Sequence, residues 1–243
     1  MNPVALVTGG SRRVGRAIAI ELARAGCDVV VTWRSDREGA LQTQKDIQAI
    51  GRRCDLRDVD LEDMVDATIA AATLDLTRLD ALILNASTYE PTPWGTLNGT
   101  ICLRDLQVNA VAPVLLTQAL HPLLKESKLA GGGSVVAIGD IYASHTPVKG
   151  FASYLMSKAA LAQAVQQMAI EMAPLVRVNA VLPGVVAWPE EIDSTTQASI
   201  LKRLPLARAG EPEDVARLVR FLCLEAPFMT GAAVALDGGR SLR

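Results

Sequence analysis

What most limits how this chain can fold is a repeated alternation of two periodicities. Short runs rich in Val, Ile and Leu, at 4–8, 28–33, 53–56, 80–85, 134–138, 176–182 and 233–236, are separated by longer stretches patterned at helical spacing. Strand and helix alternating this often predict βαβ units on a parallel sheet whose strands are buried on both faces. Right-handed crossovers then put ligands outside the carboxyl ends of the strands, where the strand order reverses. Functional residues are therefore expected just after strands.

The 243 residues suit one such domain, expected to span 1–243. Lys and Arg total 24 against 26 Asp and Glu, with no long run of either sign, so nothing points to nucleic acid or anionic lipid; the expected partner is a small molecule. Cys27, Cys54, Cys102 and Cys223 form no C-x-x-C pair, and His121 and His145 complete no metal-ligand pattern, so reduced thiols and no metal site are expected. The start shows no basic segment followed by a long apolar one, and no apolar run reaches the roughly 18 residues of a membrane span. The expectation is a soluble cytoplasmic protein.

The spacing of Val14, Ile18 and Leu22 predicts a first helix over 14–25, stopped by Gly26, with its apolar stripe on the sheet. Helices expected over 103–125 and 153–172 carry Ala and Leu on more than one face, which suits burial against another subunit. The irregular stretch 185–196, with Trp188-Pro189-Glu190-Glu191, reads as part of a substrate lid around 185–205.

A glycine-rich turn that ends a strand and opens a helix lets backbone approach a pyrophosphate, and Gly9 and Gly15 suit that role; alone, such a turn can equally serve only to pack helix on strand. At the tip of the second strand, Arg34 can give a charge-assisted bond and Ser35 a hydroxyl bond to a 2′-phosphate, favouring NADPH over NADH. An ordinary solvated arginine is the alternative, and Asp36 stands close by. Tyr154 and Lys158 lie four apart on a predicted helix and share a face, so an ammonium beside the phenol is expected to lower its pKa and suit it to proton donation. A Tyr and a Lys at this spacing can also be mere exposed neighbours.

Thr8-Gly9, Asn85-Ala86 after the fourth strand, Asn109 in a helix, Tyr154-x-x-x-Lys158 and Pro183-Gly184 together resemble the short-chain dehydrogenase/reductase superfamily along the whole chain. The resemblance implies a Rossmann-type, doubly wound sheet of seven strands and commonly a homotetramer. It implies Tyr154 as general acid, Lys158 as ribose ligand and tuner of Tyr154, and Asn109 as support for a relay water. It also implies a surface for NADPH or NADP+ made by Gly9, Ser11, Arg12, Arg13, Val14, Arg34, Ser35, Asp55, Leu56, Asn85, Ala86, Ser87, Tyr154, Lys158, Pro183, Gly184 and Val185.

Arg13 stands where the phosphate loop of that superfamily usually has its middle glycine, and Asp140 where it usually has a catalytic serine. Both departures resemble the pteridine reductases, as do Asn85-Ala86-Ser87, the run Tyr89-Glu90-Pro91-Thr92-Pro93 and the ending Asp237-Gly238-Gly239-Arg240-Ser241-Leu242-Arg243; the ending is most similar to dihydromonapterin reductases. This implies a pterin stacked between nicotinamide and Tyr89, with Ser87 and Arg13 bonding substrate and cofactor phosphate, Asp140 and Tyr154 at the reacting edge, and Trp188 on the far side. Asp140 lies 14 residues before Tyr154, one more than the resemblance implies, and an insertion within 143–150 would absorb the difference. The activity implied is reduction of a dihydropterin, of the dihydromonapterin or dihydrobiopterin type, or of dihydrofolate. A short-chain carbonyl reductase acting on an oxoacyl thioester, sugar or steroid is the alternative, with Ser144 the nearest replacement hydroxyl; a non-catalytic NADPH sensor is a third. The tail is expected to border a neighbouring subunit's site, with Arg243 rather than Arg240 reaching it.

Overall fold

Val, Ile, Leu and Ala occupy successive positions of the central strands, and in the computed structural model, which describes residues 2–63, 76–143, 148–188 and 193–242, they face two separate apolar layers. Leu6, Val30, Leu82, Val135 and Val178 pack into one layer, while Val7, Val31, Ile83, Val136 and Val181 pack into the other. Side chains alternate across a strand, so a strand apolar at every position must be covered on both sides.

The strands are β1 (Val4–Val7), β2 (Asp28–Trp33), β3 (Cys54–Asp58), β4 (Ala81–Leu84), β5 (Gly133–Ile138), β6 (Val176–Pro183) and β7 (Ala233–Leu236). They form one parallel sheet in the order β3-β2-β1-β4-β5-β6-β7. The order reverses between β1 and β4, which places the ligand crevice at their carboxyl ends. The described helices are α1 (Arg13–Arg24), α2 (Arg37–Ala49), α3 (Gly99–Leu106), α4 (Ala112–Lys125), α5 (Ala152–Glu171), α6 (Ser194–Leu201) and α7 (Pro212–Leu224). None of the described helices is long and apolar enough to cross a membrane.

The first helix obeys its sequence pattern: Ile18 and Leu22 are fully buried, and Gly26 leaves the helix at φ +99°. Two elements differ from expectation. The helix expected over 103–125 begins at Gly99 and is interrupted by a π-helical segment, Gln107–Val111, between α3 and α4. Such wide turns are frequent at functional sites, and this one carries Asn109. The strand expected to end at Leu56 continues to Asp58, because Arg57 and Asp58 pair with Thr32 and Trp33 despite breaking the apolar run.

Candidate active site

Threonine and asparagine join the loops at the switch point. Thr8 Oγ1 donates to the Ile83 carbonyl (3.2 Å) and accepts from the backbone N–H of Asn85 (2.9 Å) and Ala86 (3.0 Å). The Asn85 amide donates to the carbonyls of Thr8 (2.9 Å) and Gly9 (3.1 Å). A Cβ on Gly15 would lie 2.2 Å from the Gly9 oxygen, so only glycine lets α1 start this close to β1. Ser11 is buried, the Arg12 side chain makes no capping bond, and the first turn of α1 holds no acid, which leaves this helix end suited to a diphosphate. Arg13 holds φ +49°, a conformation natural to glycine, and its guanidinium donates to the Ala187 carbonyl (3.3 Å), bridging the phosphate loop and the segment after β6.

At the adenosine end the structure refines the sequence expectation. Arg34 ion-pairs with Glu62 and lies 3.6 Å from Asp60, so its charge is already engaged, and Ser35 beside it is exposed. Asp36 caps α2 by accepting from the Gly39 N–H (2.9 Å), which commits that carboxylate to the helix. Asp55 and Leu56, expected to touch the cofactor, sit inside β3 opposite Val30 and Val31; the residues level with the strand end are Asp58, opposite Trp33, and Val59, whose N–H reaches the Trp33 carbonyl at 2.8 Å. The longer strand thus sets Asp55 and Leu56 back from the carboxyl end and brings Asp58 and Val59 to it.

The catalytic end is buried. The Tyr154 hydroxyl donates to Asp140 Oδ2 (2.9 Å), and Asp140 Oδ1 accepts from the Tyr142 N–H (2.8 Å). Lys158 is 3% exposed, donates to the Ile138 carbonyl (2.9 Å) and has its ammonium 5.8 Å from the Tyr154 ring centre. A buried ammonium given one carbonyl has donors to spare for ribose hydroxyls. Burial lowers the Lys158 pKa to about 8, partly opposed by Asp140. The pKa of Tyr154 moves opposite to the expected direction: burial first, then the charge of Asp140 and the bond to it, raise it well above the ordinary value. Burial likewise raises Asp140, against the lowering effects of the Tyr142 and Tyr154 bonds and the Lys158 charge. The unliganded phenol is therefore protonated and a weaker acid than an ordinary tyrosine.

Asn109 is fully buried and its amide is saturated. Its Oδ1 accepts from the Thr88 N–H (2.9 Å) and faces the Ser87 hydroxyl (3.0 Å), while its Nδ2 donates to Ser157 Oγ (2.9 Å) and the Thr88 carbonyl (3.2 Å). Tyr89 stacks on Phe151, centroids 4.9 Å apart, and meets the Tyr154 ring edge-on, also at 4.9 Å. Pro183 ends β6, Gly184 packs against Asp237, Val185 accepts from the Gly210 N–H, and Trp188 follows half-buried. Of the lid stretch, Pro189-Glu190-Glu191 lies outside the described residues, as do Ser144, His145 and Arg243. In the tail, Arg240 Nε donates to Tyr142 Oη of its own chain (3.2 Å). Ser157, Thr88, Phe151 and Tyr142 were not legible as site residues beforehand; only the position of Ser157 three residues after Tyr154, nearly one helical turn, could have signalled it. Among the described residues, no cluster of metal-ligating side chains occurs.

The comparisons agree with this geometry. A family model described as enoyl-(acyl carrier protein) reductase matches residues 9–241. Human dehydrogenase/reductase SDR family member 4 is 34% identical over 100% of this chain and 88% of its own length. The crystal structure of acetoin dehydrogenase YohF from Salmonella typhimurium superposes with a TM-score of 0.88 at 30% identity, covering 100% of this chain and 97% of that one. A blue fluorescent protein from a metagenomic library, solved in complex with NADPH, gives a TM-score of 0.87 at 30% identity, covering 98% of this chain and 97% of that one. With its switch-point crevice and its buried tyrosine and lysine, this chain is an oxidoreductase and belongs to the short-chain dehydrogenase/reductase superfamily.

Proposed function

We propose that the chain is an NADPH-dependent reductase of a dihydropterin, forming the tetrahydro compound. The observation that carries this reading is the half-buried Asp140 carboxyl accepting a hydrogen bond from the Tyr154 hydroxyl at 2.9 Å, in the place where a carbonyl reductase wants a neutral hydroxyl donor. A carboxyl with a raised pKa can take up a proton and present it to a ring nitrogen, and a pterin edge offers such nitrogens. Tyr89, held against Tyr154, offers an aromatic face to a planar ring.

The residues fit the cofactor. The α1 loop would take the diphosphate, Arg34 and Ser35 the 2′-phosphate, Lys158 the nicotinamide ribose, and the segments 85–87 and 183–185 the nicotinamide. Bound there, the nicotinamide supplies the hydride. The protein's part is proton handling and orientation: Tyr154 holds the proton to be delivered, Asp140 receives or relays it, and Lys158 offsets the carboxylate charge. Because the Asn109 amide is saturated, a water-holding role would rest on its main-chain carbonyl.

A second reading, reduction or oxidation of a small hydroxyketone, is favoured by the likeness to the Salmonella typhimurium acetoin dehydrogenase. Steady-state turnover of dihydromonapterin, dihydrobiopterin, dihydrofolate and diacetyl with NADPH and NADH, and of acetoin with the oxidised cofactors, separates the two. Pterin turnover with NADPH is expected to dominate. Turnover restricted to diacetyl and acetoin would replace the pterin reading with the second.

A further inference from the structure

We propose that Arg104 and Asp105, at the end of α3, are positioning residues that hold the aromatic wall Tyr89 against Tyr154 by gripping the residue on each side of it. Thr88 Oγ1 donates to Asp105 Oδ1 (2.8 Å), and Arg104 Nη2 donates to Glu90 Oε2 (2.9 Å). The same Arg104 nitrogen lies 3.3 Å from Asp105 Oδ1, so the two grips form one connected unit. Two residues further on, the Thr92 N–H bonds the Gly150 carbonyl (2.6 Å) beside Phe151, on which Tyr89 stacks.

Tyr89 needs such support. Its side chain leaves the residue 53% exposed, so packing alone secures only part of the ring. Asp105 is 1% exposed, and its Oδ2, like Arg104 Nε, is buried without a hydrogen-bond partner. An ion pair whose carboxylate is buried with an unmet acceptor is poor as a stability device, since apolar residues of similar volume usually serve at least as well. Its geometry has another use: both grips converge on one short segment of the substrate wall. A ring misplaced by about 1 Å is enough to lower catalytic efficiency substantially.

The inference rests on reading Tyr89 as a wall of the substrate pocket, and its test separates the two ideas. The chain has three tyrosines, Tyr89, Tyr142 and Tyr154, so 3-fluorotyrosine labelling yields three fluorine resonances, the Tyr89 line being assigned by its loss in Tyr89→Phe. In Arg104→Met, that line is expected to narrow and move toward the free amino acid, with a smaller shift of the Tyr154 line that it packs against, while the melting temperature holds. With the fastest-turned-over compound of the panel above, KM should rise about fivefold with kcat nearly unchanged. Asp105→Leu should behave alike, and Asp105→Asn, which still accepts from Thr88, should restore the native line. Arg104 is at the partly exposed end of the pair, so Arg104→Met carries the test if Asp105→Leu fails to fold. An unmoved Tyr89 line in Arg104→Met overturns the positioning role. A moved line with KM unchanged there and in Tyr89→Ala supports the grip and overturns Tyr89 as a substrate wall.

Discussion

At the amino end of the sheet, the carboxylate of Asp80 accepts from the Val4 N–H, Arg78 Nε, Ser127 Oγ and the Lys128 N–H at 2.8–3.1 Å. At the carboxyl end, among the described residues, Asp140 accepts from the Tyr142 N–H and the Tyr154 hydroxyl, and its nearby cation is the lysine that burial has already weakened. Both carboxylates adjoin strands of the same sheet, and their surroundings differ in kind. Asp80 is saturated and ties three chain segments together, which is a structural task. Asp140 accepts from a tyrosine hydroxyl that can itself give up its proton, so its proton affinity responds to whatever binds beside the pair. One end of the sheet is built for permanence and the other for exchange.

The largest expected effect tests that contrast directly. Asp140→Asn and Tyr154→Phe should each cut kcat by about 100-fold or more, with NADPH affinity and melting temperature nearly unchanged. Asp80→Ala, which takes an acceptor from Arg78, Ser127 and two backbone donors, should cost about 3 kcal/mol in urea unfolding while leaving kcat intact. Full activity in Asp140→Ala would break the contrast and favour a carbonyl substrate.

A smaller effect concerns pH. Lys158 loses its charge above about 8, so kcat/KM should decline on that alkaline limb. Because the Asp140 charge helps Lys158 keep its proton, Asp140→Asn should move the limb to lower pH in whatever activity remains. Stability should respond oppositely. A lysine depressed from 10.5 to about 8 destabilises the fold while its ammonium is buried, fully below about 8, and this cost is relieved between about 8 and 10.5. Thermal melts across that window should show no loss attributable to Lys158, and a fall in stability parallel to activity would mean the limb reports unfolding.

Smaller again is the change expected at the adenosine end. Arg34 must exchange its acidic partners for a phosphate, so Arg34→Ala should weaken NADPH by only about 1.5 kcal/mol and hardly affect NADH. Glu62→Gln should tighten NADPH, because it frees the guanidinium. Equal losses for both cofactors in a titration of Arg34→Ala would show that this arginine does not read the 2′-phosphate. The smallest effect belongs to the tail: Arg240→Ala should raise the substrate KM about twofold by releasing Tyr142, whose N–H holds Asp140. An unchanged KM would confine the tail to structure.

The fold was legible because it is written in short-range pattern: β-branched runs alternating with helical spacing leave little choice of sheet. Tyr154, Lys158 and the glycine turn were legible because fixed spacing carries their chemistry, and Asn109 only through the family resemblance. The extent of β3 was not, since Arg57 and Asp58 look like a strand end and pair only because β2 is there to receive them. Nor was the direction of the Tyr154 shift, which depends on how deeply a side chain is covered rather than on which lysine lies a turn away. The engagement of Arg34 with Glu62 joins residues 28 apart, a partnership no local pattern announces.

The wide turn at Gln107–Val111 has a consequence for phase. A π segment accommodates one residue more than regular winding, so the two helices it joins are set about 100° apart from where one continuous α-helix would put them. α4 is locked by Leu116, Leu120 and Leu124 in the core, so the slack must be taken up on the α3 side, where Asp105 and Arg104 face the Tyr89 loop. Deleting a single residue within 107–111 would let the whole segment wind uniformly, a more regular helix by every local measure, yet it would turn those side chains away from the crevice. The irregularity works as a phase adjuster: it lets one stretch of chain face the apolar core with half its length and the reacting groups with the other half.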